Sequence, residues 1–139
     1  MLNSWTKPRT WNGAENEYFE LVPDYQRIRQ NILYIEELLE DLGNIEIELL
    51  PMTIPTEVDI PSAEFFNTII SNIRILVSYT IYDIDSILMR DYVENDLAPN
   101  YRDLNSIENN LYNLFVGNAG VINVSQKIGY SLMGQLSIF

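Results

Sequence analysis

Residues 24–35 read DYQRIRQNILYI, residues 65–76 read FFNTIISNIRIL, and residues 103–114 read DLNSIENNLYNL. Laid over one another, the three phrases put Tyr25, Phe66 and Leu104 in the second place and Gln26, Asn67 and Asn105 in the third. Ile28, Ile69 and Ile107 fall in the fifth, Ile32, Ile73 and Leu111 in the ninth, and Ile35, Leu76 and Leu114 in the last, where Ile75 competes with Leu76. Apolar residues separated by alternating steps of three and four are the signature of an α-helix with one face in a core. The eighth place holds Asn31, Asn72 and Asn110, spaced 72 − 31 = 41 and 110 − 72 = 38 residues apart. A near-constant step of that length is a helix plus a return connection, the period of an internal repeat.

Asparagine is a mediocre choice inside a helix, about 0.7 kcal/mol or less worse than alanine, because its amide competes for main-chain groups. Its recurrence on the same stripe as the isoleucines therefore calls for a reason. An inward amide without partners costs roughly 1–3 kcal/mol, so Asn31, Asn72 and Asn110 are read as structural amides. Each is expected to bond a loop backbone or its counterpart on a neighbouring helix, and so to fix register. A ligand-binding triad of amides is the other way to use them.

Working outward, the pattern predicts a first helix from Asp24 to about Leu42, entered at Pro23 and left at Gly43. The alternation of Ile45, Ile47 and Leu49 with Glu46 and Glu48, broken at Pro51 and Pro55, predicts a short exposed strand or an extended loop. A second helix enters at Pro61 and Ser62 and is apolar on most sides. The pattern allows its continuation through "YDIDSILMRDYVEND", with Ile84, Ile87, Leu88 and Tyr92 inward, until Pro99 stops it. A third begins near Asn100 to Asp103 and runs to Gly117. The β-branched, glycine-punctuated "GVINVSQKIGYSLMGQLSIF" then predicts two short strands in a terminal hairpin. The expected fold is thus mainly α, a small bundle of three to four helices built from a repeat. It carries an extended aromatic arm at 1–23, a helical repeat domain at 24–117 and a strand-like segment at 118–139.

The arm holds Pro8, Gly13 and Pro23, two tryptophans and no sustained period. Rings cannot be buried by a segment that has no core, so Trp5, Trp11, Tyr18 and Phe19 must lie on a body, this chain's or a neighbour's. The apolar terminus, with Leu136, Ile138 and Phe139, asks for burial in the same two ways. Trp5, Trp11, Tyr18, Phe19 and Phe139 are accordingly the candidate partner-contact residues.

Composition sets the limits on function. The chain has 139 residues, 47% of them hydrophobic, which suffices for one domain with a core. Eight basic against twenty acidic residues give a net charge of −12, which repels phosphate backbones and argues against nucleic-acid binding. The absence of both cysteine and histidine removes thiolate nucleophiles, the imidazole base and the usual zinc ligands. No stretch has the length of a membrane span or the form of a signal peptide, so synthesis in the cytoplasm is expected.

The segment "WTKPRTWNGAENEYFELVPDYQRIRQNILYIEELLEDL" resembles tail, baseplate and fibre-attachment proteins of phages of Gram-positive bacteria. Those pair a Trp-Lys-Pro-Lys-Thr-like arm with a helix of the form Asp-Tyr/Leu-Asn-Arg-Ile-x-x-Asn-Ile-x-x-Leu. Here Trp5, Lys7, Pro8, Arg9 and Thr10 match the arm, and Asp24, Tyr25, Arg27, Ile28, Asn31, Ile32 and Ile35 match the helix. Asp103, Leu104, Asn105, Ile107, Glu108, Asn110 and Leu111 match it again. Gln26 departs from it, as does the middle copy, which lacks the leading Asp. The resemblance implies a virion structural module without chemistry or cofactor of its own. Its expected partners are copies of itself, in a symmetric homo-oligomer, and neighbouring virion proteins.

An enzyme would have to work with carboxylates, and Glu46 with Glu48 or Asp83 with Asp85 are the pairs to nominate. Neither sits in an aromatic sugar-binding context. "DIDSILMRDYVE" imitates the start of a calcium loop, but Leu88 stands where the tight turn requires glycine. The competing class is an acidic helical binding module or inhibitor of a basic host protein. On the virion reading, Glu36, Glu37, Glu40 and Asp41 are either a solvated face or contacts for a basic neighbour.

Overall fold

The computed structural model describes residues 3–56, 62–80, 92 and 99–134, with side chains described as far as Asn118. The protein is mainly helical. A wide turn, Leu21–Tyr25, leads into α1, Gln26–Gly43; α2 is Ala63–Tyr79 and α3 is Tyr101–Gly134. Between and before them the described chain, including 3–20 and 44–56, has no regular secondary structure, and no strand occurs among the described residues.

Each helix begins and ends for a local reason. Asp24 accepts the Glu20 N–H at 2.9 Å from Oδ2 and so closes the turn before α1. Asn44, at φ 49°, supplies the left-handed residue that ends α1, with its N–H returning to the helix at Glu40 O. The exit is therefore one residue beyond Gly43. Thr80 takes an extended conformation and stops α2. At the head of α3, Asn100 and Asp103 bond each other's main-chain N–H reciprocally, Asn100 N to Asp103 Oδ2 at 3.0 Å and Asp103 N to Asn100 Oδ1 at 2.9 Å. That is a capping box with aspartate in the third helical position.

The three helices run parallel. Tyr34 of α1 lies against Phe115 of α3 with ring centroids 5.6 Å apart, and Arg27 of α1 meets Glu108 of α3. Both pairs have the same offset, 115 − 34 = 108 − 27 = 81, which only parallel helices can hold. Likewise Tyr25 meets Phe65 near the start of α1 and α2, while Thr80 and Asn118 meet near the far end of α2 and the same level of α3. Parallel neighbours need a connection that travels the whole way back. For helices of 18 and 17 residues that return is about 26 Å, roughly eight extended residues. The segment 44–56, the second such segment after 3–20, runs antiparallel to α1 as it returns, with Ile47 at Glu40 and Met52 at Arg29.

Parallel helices bring the phrase positions to common levels. Tyr25, Phe66 and Leu104; Ile28, Ile69 and Ile107; Ile32, Ile73 and Leu111; and Ile35, Leu76 and Leu114 are all buried, within one core cluster. Leu76 is fully buried and Ile75 only partly, which settles the last place. Steps of three and four with isoleucine dominant are what three-stranded parallel packing prefers. Tyr92 packs inward on Phe66, centroids 5.7 Å apart, as expected of it, while Ile84, Ile87 and Leu88 lie outside the described residues.

One expectation fails. The stretch after Gly117 is not a hairpin: α3 continues through it to Gly134 and is 34 residues long. Gly117 and Gly120 weaken a helix by about 1 kcal/mol each relative to alanine, and β-branched residues weaken it less, but neither forbids it. No proline follows Pro99, so the hydrogen-bond ladder is nowhere denied a donor. Asn118, fully buried, also holds the turn containing Gly117 by donating to Leu114 O at 2.8 Å and accepting from Thr80 Oγ1 at 3.2 Å.

Ile73 lies at the centre of the stack with no exposed surface. Ile73→Ala should lower the unfolding free energy by about 2–5 kcal/mol in a denaturant titration, without changing helix content by circular dichroism below the transition.

Candidate functional site

The segment 3–20 is laid along the groove between α1 and α3, and among the described residues that groove gathers the densest set of polar contacts. A single device recurs along it. Asn31 accepts the Thr6 N–H at Oδ1 (2.9 Å) and donates from Nδ2 to Thr6 O (2.8 Å). Five residues on, Asn105 of α3 treats Trp11 in the same way, both bonds being 2.8 Å. A carboxamide carries a donor and an acceptor in one plane, as a peptide does, so each asparagine clamps one residue of extended chain through its main chain.

The other segments are held alike. Asn72 clamps Leu50 (2.8 and 2.9 Å), and Asn67 clamps Tyr92 (2.7 and 2.6 Å). Asn31 and Asn72 thus bond loop backbone, as expected of them. Asn110, fully buried, donates from Nδ2 to Ser106 O of its own helix at 2.8 Å. The stretch that register sets opposite it, near residue 87, lies outside the described residues. Asn67 and Asn105 share the third place of the phrase. Sequence reasoning aligned them without giving them a role, and the signal was their five-residue spacing from Asn72 and Asn110. Gln26 holds that place in α1 and makes no clamp. The register puts Pro55 opposite it, and a prolyl nitrogen has no hydrogen to donate.

The groove between α1 and α3 differs from the others in its charges. Asp24 and Glu108 are 1% and 2% exposed, and both are matched. Asp24 accepts from Arg27 Nη1 at 2.9 Å and from Arg9 Nη1 at 3.2 Å. Glu108 accepts from Arg27 Nε at 2.8 Å, from the Trp11 indole N–H at 2.7 Å and from the Arg9 N–H at 3.3 Å. Arg27 Nη2 is 2.7 Å from Glu108 Oε1 but outside hydrogen-bonding geometry, so that contact is Coulombic. The Arg9 guanidinium also lies over the Trp11 ring, 3.8 Å from its centroid. Two cations and two anions therefore compensate each other in a clasp that joins the segment, α1 and α3.

Aromatic rings seal both ends of the clasp. Trp5 stacks on Phe115 at 4.3 Å with the planes 2° apart, and lies 6.1 Å from Tyr34. Trp11 is 2% exposed and neighbours Phe19, which continues to Phe66. Gly13, at φ 79°, sits so close to Tyr101 that a Cβ would come within 2.7 Å of its ring. Of the five partner-contact candidates, Trp5, Trp11 and Phe19 thus pack on this chain's own body. Tyr18 is 69% exposed, and Phe139 lies outside the described residues. The acidic face is also partly engaged at home: Glu37 bonds Asn3, and Glu40 accepts the Ile47 N–H at 2.9 Å.

Glu46 and Glu48 are exposed on the second segment, while Asp83 and Asp85 lie outside the described residues. Among the described residues no cluster of three or more acidic side chains is placed to hold a metal ion, and no helix is long and apolar enough to cross a membrane. Compared with protein-family models, with curated proteins and with solved structures, the chain matches none.

Two outcomes follow from this geometry. Asn72→Leu leaves the N–H and C=O of Leu50 unmatched and should cost roughly 1–3 kcal/mol in a denaturant titration. Burial pushes the Glu108 carboxyl above its ordinary pKa of 4.5, and Arg27 and Trp11 offset this only in part. A carboxyl raised by folding favours the native state below 4.5 and loses that contribution as pH climbs through its folded-state value. Measured against Glu108→Gln, the natural chain should therefore gain relative stability as pH is lowered from neutrality towards 4.5.

Proposed function

We propose that this chain is a bacteriophage virion structural protein, a small module of a tail, baseplate or collar assembly that acts through protein–protein contacts. It is made in the host cytoplasm and built into the particle as a symmetric homo-oligomer beside other virion proteins. It works without a cofactor and performs no chemistry of its own.

One observation carries this reading. Several residues that bear the resemblance to phage tail and baseplate proteins hold the first segment in its groove: Trp5 stacks, Arg9 and Arg27 pair with Asp24, and Asn31 clamps Thr6. The resembling pattern is thus a pattern for seating an extended segment between helices, which is assembly chemistry. The carboxylates that an enzyme would need at such a site are instead saturated by arginine and indole donors.

The alternative, an acidic helical module that inhibits a basic host protein, is favoured by the net charge of −12. The clasp is neutral in sum, so that excess charge lies elsewhere on the protein. Quantitative mass spectrometry of purified particles separates the two. The chain is expected in the particle at a fixed integral copy number that survives high-salt washing. Its absence from particles, together with stoichiometric capture of one basic host protein, would overturn the virion reading.

A further inference from the structure

The first segment is clamped by α1 and α3, through Asn31 and Asn105; the second is clamped by α2 and also bonds α1; Tyr92 is clamped by α2. The first segment leads directly into α1, and the second follows α1 and returns along it. α3 and the first segment, by contrast, are neighbours in space without being neighbours in the chain. The link between them is made wholly of non-covalent contacts: Asn105 with Trp11, Glu108 with Trp11 and Arg9, and Phe115 with Trp5.

We propose that this seam is an interface between copies: the α1–α3 groove of one molecule takes the segment 3–11 of a second copy in place of its own. The proposal rests on the virion reading above and names the surface through which copies would interlock.

The occupant is fixed by what the groove recognises. Two clamps read main chain at Thr6 and Trp11, spaced five residues apart. A flat ring stacks on Phe115, an indole N–H meets Glu108 at 2.7 Å, and a guanidinium meets Asp24. A segment of identical sequence satisfies the whole set, and it arrives with every second copy. The stretch that would have to cross between molecules is suited to it. Residues 12–18 are mostly exposed: Glu17 holds the N–H of Asn12 and Gly13, Ala14 O accepts from Glu17 N, Arg9 Nη1 donates to Tyr18 O at 3.4 Å, and Gly13 packs on Tyr101. Extended, the residues from 12 to 20 span about 30 Å. Exchanging an identical element keeps its contacts, so the closed and exchanged forms differ chiefly in this loop.

The chain has no cysteine, which permits a direct test. Asn3 and Glu37 hydrogen-bond through their side chains where the beginning of the segment meets α1. Asn3→Cys and Glu37→Cys are made as separate full-length variants, one isotopically labelled, then unfolded together, refolded at high concentration and oxidised. Exchange is expected to give a disulfide-linked heterodimer of about twice 16.1 kDa. Because exchange joins two molecules, refolding the pair at a hundredfold lower concentration and concentrating it only just before oxidation should lower the heterodimer's yield several-fold. Two results would overturn the proposal: no heterodimer above the level of homodimers, or a heterodimer whose yield dilution during refolding leaves unchanged. Neither result touches the virion reading, which depends on the chain's presence in particles.

Discussion

Extended chain that returns along a helix brings a row of peptide groups with it, and no strand among the described residues satisfies them. That constraint shapes this molecule. Three parallel helices in one chain demand return segments, and the segments lie where water is partly excluded, so their N–H and C=O groups need partners. Asparagine provides both halves of the match from one side chain, and its presence inside helices, unfavourable locally, is explained by the segment it faces. Each of the eight bonds in the four complete clamps contributes on the order of 1 kcal/mol net. Beneath the clamps the layers of isoleucine and leucine supply the larger, non-directional term.

The charged clasp adds selectivity to that scheme. Burying Asp24 and Glu108 is tolerable only because Arg27 bridges them and Arg9 and Trp11 complete the set. Removing one member leaves an uncompensated buried charge, which is far more damaging than the intact cluster is beneficial. Whatever segment occupies this groove must therefore bring a cation and an indole donor at the correct spacing. The second segment offers neither, having Thr53 and Pro55 at the corresponding places, and α1 presents Arg29 to it through Met52 O instead.

Much of this was legible in the sequence, for identifiable reasons. The isoleucine stripe and the fixed asparagine are local, periodic features, and they located the helices, the core layers and two of the clamps. The arm is legible as an aromatic segment that lies on a body, this chain's or a neighbour's, whereas its contacts also make it the counterpart of the second segment. That equivalence left little trace because a clamp that reads main chain imposes no side chain on the segment it holds. The pairing of Arg9 and Arg27 with Glu108 was hidden for another reason. Partners 81 and 99 residues apart cannot be picked out in a chain with twenty acidic residues. The helix beyond Gly117 was mistaken for strands because propensity was weighed there without the buried Asn118 that anchors the turn.

Recognition through main chain also divides the labour of heredity within this protein. "WTKPRTW", at 5–11, and "LLPMTIP", at 49–55, share almost no side chains, yet both lie along α1 and each is gripped by an asparagine at the same level of a helix. Away from Trp5, Arg9 and Trp11, whose side chains the first groove uses, substitutions in the segments can accumulate with little effect on the scaffold, provided that no proline lands on a gripped residue, while the helices must keep their amides in place. The surfaces of the segments are thus the part of the molecule freest to acquire new contacts, and the asparagines are what make that freedom safe.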